Sequence, residues 1–398
     1  MTVGAGSGHD VVVVGAGAAG LTAAESLRRD GFAGRITLVG DEHHAPYDRP
    51  PLSKQVLAGE WEAARAALRP DEHYRAQDID LSLRTTARAL DPATRRLTLA
   101  TGEELGYRHL VIATGVTPRR LPFGHDLHGV HTLKTIDDAA AIAQGLASAS
   151  RVLVVGAGFL GTEIAATARK LGREVVVVDV LDAPLVRGLG AWMGEVVRDV
   201  HAANGVEIRT GTGIVGLTSL DGRVTGADLS DGSHLAADLV VVAIGSQPTT
   251  GWLGRSGIGL DDGVLCDEFC FAAEDVVAVG DVARFRHLGY GRSLRLEHRM
   301  NATEQARAAV ANLLAPPEGR VAFEPIPYFW TDQYAYKIQA YGLTPADAAV
   351  RVVRGDVAER RFVAAYEVDG RAVGFVGWNS PRDLRALLPE LEHRRVDV

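Results

Sequence analysis

Six glycines are the first residues from which chemistry can be read. Gly15, Gly17 and Gly20 stand in G-x-G-x-x-G spacing, and Gly156, Gly158 and Gly161 repeat it. In such a turn the first glycine permits the bend and the second lets a pyrophosphate approach the backbone. The third lets a helix pack closely on the preceding strand. Acids follow both copies: Asp41 and Glu42 after the first, Asp179 after the second. They lie near the ~20-residue offset at which a carboxylate meets a ribose hydroxyl. Two such units in one chain point to an internal duplication that binds two different dinucleotides. Lys54 is a further candidate, because it ends the stretch APYDRPPLSK, Ala45 to Lys54. The prolines of that stretch make a rigid, extended entry, which suits a positioned cation better than a solvated one. The two cysteines, Cys266 and Cys270, are spaced C-x-x-x-C. That is not the C-x-x-C of a redox pair or a zinc site, and they read as plain thiols in a reducing compartment. The histidines show no ligand spacing with acids or cysteines, so no metal site is expected.

These residues need strands and helices to hold them. Asp10 to Glu25, DVVVVGAGAAGLTAAE, reads as a buried strand, a glycine turn and a helix over Leu21 to Leu27. The helix presents its N-terminal amides to an anion. A second strand, Arg35 to Val39, ends at Asp41 and Glu42. The duplicate opens with the strand Arg151 to Val155, and its partner strand Glu174 to Val178 ends at Asp179. Between the copies, a helix can start at Leu52 and another is predicted over Trp61 to Tyr74. Ile79 to Leu83, Ala87 to Leu90 and Arg96 to Ala100 read as short antiparallel strands. Tyr107 to Ala113 is an apolar strand ended by Thr114 and Gly115. Later come three strands over Val206 to Leu229, a strand Leu239 to Ile244 ending in Gly245, and a strand Val276 to Val279 ending in Gly280 and Asp281. A helix over Asn301 to Leu314 is stopped by Pro316 and Pro317, and Phe323 to Val398 alternates as a small antiparallel domain.

Composition narrows the class. A chain of 398 residues with 46% hydrophobic and 23% charged residues is an ordinary globular protein of two or three domains. Its net charge of −8 argues against a nucleic-acid binder. No apolar run approaches the ~18 residues of a membrane span. The N-terminus lacks the basic and apolar regions of a signal peptide, so a cytoplasmic location is expected.

From Asp10 to Trp378 the chain resembles the FAD-dependent, NADH-using ferredoxin reductases of the putidaredoxin reductase and aromatic-ring dioxygenase type. These belong among the glutathione-reductase-like flavoproteins, alongside apoptosis-inducing factor. The most specific shared pieces are PYDRPPLSK, LVIATGVTPR, VVAVGD and PYFWTDQY. The resemblance implies an α/β fold of two Rossmann-like domains, for FAD and NADH, followed by a C-terminal α+β domain. The FAD domain would comprise residues 1–114 and 244–320, the NADH domain 115–243, and the C-terminal domain 321–398.

By the same resemblance, Gly15 to Gly20, with Ala18 and Ala19, would hold the FAD pyrophosphate, and Asp41 and Glu42 the adenosine ribose. Arg49 and Lys54 would approach FAD from the proline-rich loop, and Ala87 would touch the adenine end through its backbone. Further FAD contacts are expected at Ala113, Thr114, Gly115, Lys134, Gly280 and Asp281, the last on the ribitol. Trp330 would lie beside the isoalloxazine. Lys134 replaces the family's usual Arg, and Tyr328 its usual Trp. Arg299 stands near the flavin pyrimidine edge, where it either favours the reduced anion or points to solvent. For NADH, contacts are expected at Gly156, Gly158, Phe159, Leu160, Gly161, Asp179, Arg187 and Gly245. Asp179 favours NADH by repelling a 2′-phosphate, whereas nearby Arg187 is able to bind one. Glu163 would pair with Lys54 next to flavin N5.

The loop Pro46 to Lys54 holds no cysteine, so no thiol relay is expected. Hydride from NADH would pass to the flavin, then single electrons to an acidic [2Fe–2S] ferredoxin serving a cytochrome P450 or a ring-hydroxylating dioxygenase. That partner would dock on the basic run Arg284, Arg286, Arg292, Arg295, Arg299 and Arg307, with Arg307 the favoured contact. Reduction of a small molecule such as a quinone, or nucleotide sensing as in apoptosis-inducing factor, are the alternatives.

Overall fold

The computed structural model describes residues 9–392. The run of valines before the first glycine turn lies in the strand His9–Val14, and Val11, Val12, Val13 and Val14 are buried on both its faces as their composition requires. It lies between the parallel strands Ile36–Val39 and Glu104–Ile112, so that Val14 is flanked by Val39 and Ile112. Ile79–Ser82 and Val276–Ala278 extend this parallel array on either side. Antiparallel strands at one edge and on the Glu104–Ile112 strand complete an eight-stranded sheet.

The second copy repeats the plan. Arg151–Val155 lies between Glu174–Val178 and Leu239–Val242, in a five-stranded, fully parallel sheet. Each glycine turn thus leaves the end of a central strand where the strand order reverses, which is where open α/β sheets bind ligands. The chain crosses between the sheets through the antiparallel pair Val116–Pro118 and Ser246–Pro248. A third, five-stranded antiparallel sheet carries Tyr328–Gln333, Tyr336–Gly342, Ala349–Asp356, Arg361–Val368 and Arg371–Trp378. Two short helices, Pro381–Ala386 and Pro389–Glu392, follow it.

Local expectations fail in three places. The helix predicted over Trp61 to Tyr74 is two pieces, a 3₁₀ turn at Ala63–Ala66 and a helix at Asp71–Ala76. Pro70 disfavours helical backbone at the residue before it and sits instead at the N-cap of the second piece. Leu52 lies in a single 3₁₀ turn, Pro50–Ser53, rather than at a helix start. Ile79–Ser82, expected to be antiparallel, pairs in parallel with Ile36–Val39. A strand of four residues, Ile-Asp-Leu-Ser, carries no signal of its direction; the connection through the helix Asp71–Ala76 sets it.

Candidate active site

The two turns have the same geometry. Gly15 adopts φ +117° and Gly156 φ +107°, values that a side chain rarely tolerates. A Cβ at Gly20 would stand 1.9 Å from the Gly15 carbonyl oxygen, and one at Gly161 1.9 Å from that of Gly156. Helix and turn are therefore in backbone contact in both units. At Gly17 and Gly158, by contrast, a Cβ would meet nothing within 4 Å. The open side of each turn faces the N-terminus of its helix, Ala18–Arg29 or Phe159–Lys170.

The first turn opens into a cleft of about 590 Å³. Gly15, Gly17, Ala18, Ala19, Asp41, Glu42, Arg49, Ala113, Thr114, Gly115, Lys134, Gly280, Asp281 and Arg299 all line it. Of the second unit, Leu160 and Glu163 reach it. Gly20, Ala87 and Trp330 are not part of its wall, nor are Gly156, Gly158, Phe159, Gly161, Asp179, Arg187 and Gly245. Ala87 pairs instead with Leu99 in a strand against the first core. Trp330 stacks on Tyr328 with ring centroids 6.0 Å apart.

Charges in the cleft are arranged by contacts that a linear reading does not contain. Arg49 donates to Glu42 Oε1 at 2.7 Å, to the Tyr47 hydroxyl at 2.9 Å and to the Lys134 carbonyl at 2.6 Å. The Tyr47 hydroxyl donates to the other oxygen of Glu42. Glu42 is therefore engaged by the proline-rich loop, while Asp41 is exposed at the rim. Burial lowers the Lys134 pKa, and the nearby Arg49 adds to this, against Asp41, Glu42 and Asp281. Arg299 is not turned to solvent: it pairs with Asp48 and donates to the Thr303 hydroxyl at 2.8 Å.

Asp281 is placed by the turn after Val276–Ala278, where Gln305 accepts from the Gly280 amide at 2.8 Å. Burial pushes its carboxyl up to about 6, Glu297 adds to this, and Lys134, Arg49 and Arg295 oppose it. Among the described residues nothing donates a hydrogen bond to that carboxylate, which faces the cleft.

At the cleft's other wall, Lys54 Nζ lies 2.6 Å from Glu163 Oε2. Lys54 does not itself line the cleft but bonds a residue that does. Ser53 donates to the same Glu163 oxygen at 2.6 Å, and Thr331 donates to Oε1 at 2.7 Å. Beside the second turn, Asp179 accepts from the Ala157 amide at 2.6 Å and the Leu181 amide at 2.9 Å. Arg187 is exposed and not paired with it.

The basic run is not one surface. Arg284 pairs with Asp261, Arg295 with Asp262 and Glu297, and Arg299 with Asp48. Arg286, Arg292 and Arg307 are exposed. Cys266 and Cys270 are buried free thiols, and burial pushes Cys270 up to about 12. The histidines do meet an acid after all: His43 and His44 lie 3.7 and 3.0 Å from Asp137, a contact between segments far apart in sequence. Sequence reasoning passed over Tyr47, whose bonds to Glu42 and Arg49 are local, and Asp48, Ser53 and Thr331, whose roles arise only when distant segments meet.

Two glycine turns of one geometry, each at the end of a central parallel strand of its own sheet, define an oxidoreductase built for two dinucleotides, and Leu160 and Glu163 of the second unit reach the cleft at the first turn. The family model for pyridine nucleotide-disulphide oxidoreductases matches residues 9–311, and the reductase C-terminal model matches residues 328–396. The chain belongs to the pyridine nucleotide-disulphide oxidoreductase family.

Among its relatives, rhodocoxin reductase of Rhodococcus erythropolis is 38% identical over 94% of this chain and 87% of its own. Putidaredoxin reductase of Pseudomonas putida is 36% identical over 94% of this chain and 89% of its own. The ferredoxin reductase for the CYP199A2 system of Rhodopseudomonas palustris superposes with a TM-score of 0.92 at 34% identity, covering 98% of this chain and 96% of that one. The reductase in a covalent putidaredoxin reductase–putidaredoxin complex also gives 0.92 at 34%, covering 97% and 93%.

Membership of this family brings FAD and a nicotinamide nucleotide as cofactors. The residues fit both: open space at Gly17 and Gly158 for a pyrophosphate, and an unbonded acceptor at Asp281 for a polyol. No helix among the described residues is long and apolar enough to cross a membrane.

Proposed function

We propose that this protein is an NADH-dependent ferredoxin reductase that holds FAD and passes electrons to an acidic [2Fe–2S] ferredoxin serving an oxygenase. The observation that carries this reading is a cleft at the first glycine turn whose wall includes Glu163 of the second unit, paired with Lys54, and contains no thiol. A disulphide-reducing relative needs a cysteine pair at such a site; here both cysteines are buried elsewhere.

FAD, when bound, supplies hydride acceptance from the nicotinamide and release of electrons one at a time. The amides at the start of the helix Ala18–Arg29 face its pyrophosphate, and Arg49 and Lys134 offset the phosphate charge. Asp41 accepts from the adenosine ribose, and Asp281 from the ribitol hydroxyls. Glu42 holds Arg49 in place. Lys54, fixed by Glu163, steadies charge at the reacting edge of the flavin and helps orient the nicotinamide. Gly158 and the start of its helix take the second pyrophosphate. Asp179 sets the preference for NADH over NADPH, because a fixed carboxylate repels a 2′-phosphate. On this reading residues 1–114 and 244–320 form the FAD domain, 115–243 the NADH domain and 321–398 the C-terminal domain.

The ferredoxin docks at Arg307. It lies eight residues beyond the cleft-lining Arg299 on the helix Arg299–Leu314, about 12 Å along the axis. NADH-driven cytochrome c reduction, with and without added [2Fe–2S] ferredoxin, tests the proposal. Strong dependence on ferredoxin is expected; an equal rate without it, with fast turnover of a quinone, points to a small-molecule reductase instead.

A further inference from the structure

A line of buried polar groups runs from the Lys54–Glu163 pair into the C-terminal sheet. Thr331 donates to Glu163 Oε1 at 2.7 Å. Behind it, the Gln333 amide donates to Thr162 at 2.8 Å and to Thr331 at 3.3 Å. The Gln333 carbonyl oxygen faces His201 Nε2 at 2.9 Å, and His201 Nδ1 faces the Tyr334 hydroxyl at 3.1 Å. Ser53, Thr162, Glu163, His201, Thr331 and Gln333 are all buried.

The direction of each bond follows from its neighbours. Gln333 spends its NH₂ on the two threonines, so its oxygen must accept, and His201 must donate from Nε2. His201 Nδ1 is then left to accept from Tyr334. Burial lowers the His201 pKa and holds the ring neutral, which that tautomer requires. Along the path Tyr334, His201, Gln333, Thr331 every bond thus donates toward Glu163, while the second N–H of Gln333 goes to Thr162, whose hydroxyl donates to the backbone carbonyls of Gly158 and Phe159. Such a chain is polarised in one sense, and it ends on the charge that fixes Lys54.

Its members come from separate segments: the helices Phe159–Lys170 and Val186–Ala203, and the hairpin of Tyr328–Gln333 and Tyr336–Gly342. Three bonds converge on Glu163, and only the one from Thr331 comes from the C-terminal sheet.

We propose that Thr331, Gln333 and His201 are positioning residues, through which the C-terminal sheet holds Glu163, and hence Lys54, in the geometry for flavin reduction. The inference rests on the reading of Lys54–Glu163 given above. A structural filler would need only to satisfy buried atoms; here one branch of the chain ends on a charged acceptor through Thr331, whose hydroxyl accepts from Gln333 as it donates to Glu163, an arrangement suited to electrostatic preorganisation. Without the Thr331 hydroxyl, one carboxylate oxygen loses its donor and the carboxylate is free to rotate away from Lys54.

The test compares the FAD-loaded full chain as wild type, Thr331→Val, Thr331→Ser, Gln333→Met and Lys54→Met. Stopped-flow flavin reduction by NADH, nucleotide affinity and the equilibrium reduction potential of the bound flavin are read for each. Thr331→Val is expected to slow flavin reduction about ten-fold, the size of one hydrogen bond to a charged acceptor, and Gln333→Met about three-fold, as one bond to a neutral hydroxyl is weaker. The potential should shift, NADH affinity should stay within about two-fold, and Thr331→Ser should restore wild-type behaviour. If Thr331→Val does not retain FAD, Gln333→Met decides the matter. Variants with lower melting temperatures but wild-type reduction rate and potential would overturn the proposal. If Lys54→Met is slow while these variants are not, only the positioning chain falls. If Lys54→Met reduces at wild-type speed, the reading beneath it falls as well.

Discussion

Lys54 and Glu163 are 109 residues apart in sequence, yet their charged ends lie 2.6 Å apart, both largely buried. A buried pair of this kind is a poor source of stability, because desolvation offsets its attraction. Its presence at a cleft wall is therefore better explained by function. Lys54→Met is expected to slow flavin reduction by ~100-fold or more while FAD stays bound, since its contribution is made in the transition state. Stopped-flow reduction together with flavin content after gel filtration checks both halves.

Asp281 is the complementary case, an acid kept in the cleft at a cost. Its carboxyl is raised to about 6, so the folded chain holds its proton more tightly than the unfolded chain does. The resulting stability is present below about pH 4 and is lost as pH rises through about 6, at most about 3 kcal/mol. In flavin-free protein, Asp281→Asn should raise the melting temperature at pH 8 and leave it unchanged near pH 4. The same variant should weaken FAD binding by ~10-fold or more, measured by fluorescence titration.

At the scale of the element, the two glycine-turn units are equivalent in backbone, and the proposed function gives them separate tasks. The third glycine of each is held against the carbonyl of the first, so an added methyl must push helix and strand apart. Gly161→Ala is expected to weaken nicotinamide nucleotide binding at least ~10-fold while the protein still purifies with FAD. Gly20→Ala should have the reverse selectivity. Equilibrium titration with NAD and the ratio of flavin to protein absorbance separate the two outcomes. Equal damage to both cofactors by either variant would show that the units do not bind independently.

The whole molecule carries a net charge of −8, and three of the six arginines in its basic run are paired with acids on folding. Arg286, Arg292 and, on the helix Arg299–Leu314, Arg307 remain exposed, so on the proposed reading docking of an acidic partner depends on a few charges. Arg307→Glu is expected to raise KM for ferredoxin several-fold and leave NADH-to-ferricyanide turnover unchanged. Raising salt should weaken wild-type coupling in the same sense, since the Debye length is only about 10 Å at 0.1 M. A ferredoxin KM that responds to neither change would place docking elsewhere.

Much was legible without coordinates. The valine runs, the paired G-x-G-x-x-G turns and the acids after the following strands are local patterns, each set by backbone sterics and burial within about 30 residues. They identify two dinucleotide units, and a rigid Pro-rich loop ending in Lys54 stands out for the same local reason. Other features are properties of distance in space. The direction of Ile79–Ser82, the hold of Arg49 on the Lys134 carbonyl, and the pairing of Arg299 with Asp48 depend on segments that meet only after folding. So does the chain of donors from Tyr334 to Glu163, spread over two helices and a hairpin. Polar side chains declare a type but not a partner; burial makes the partner obligatory, and only the tertiary structure decides which one it is.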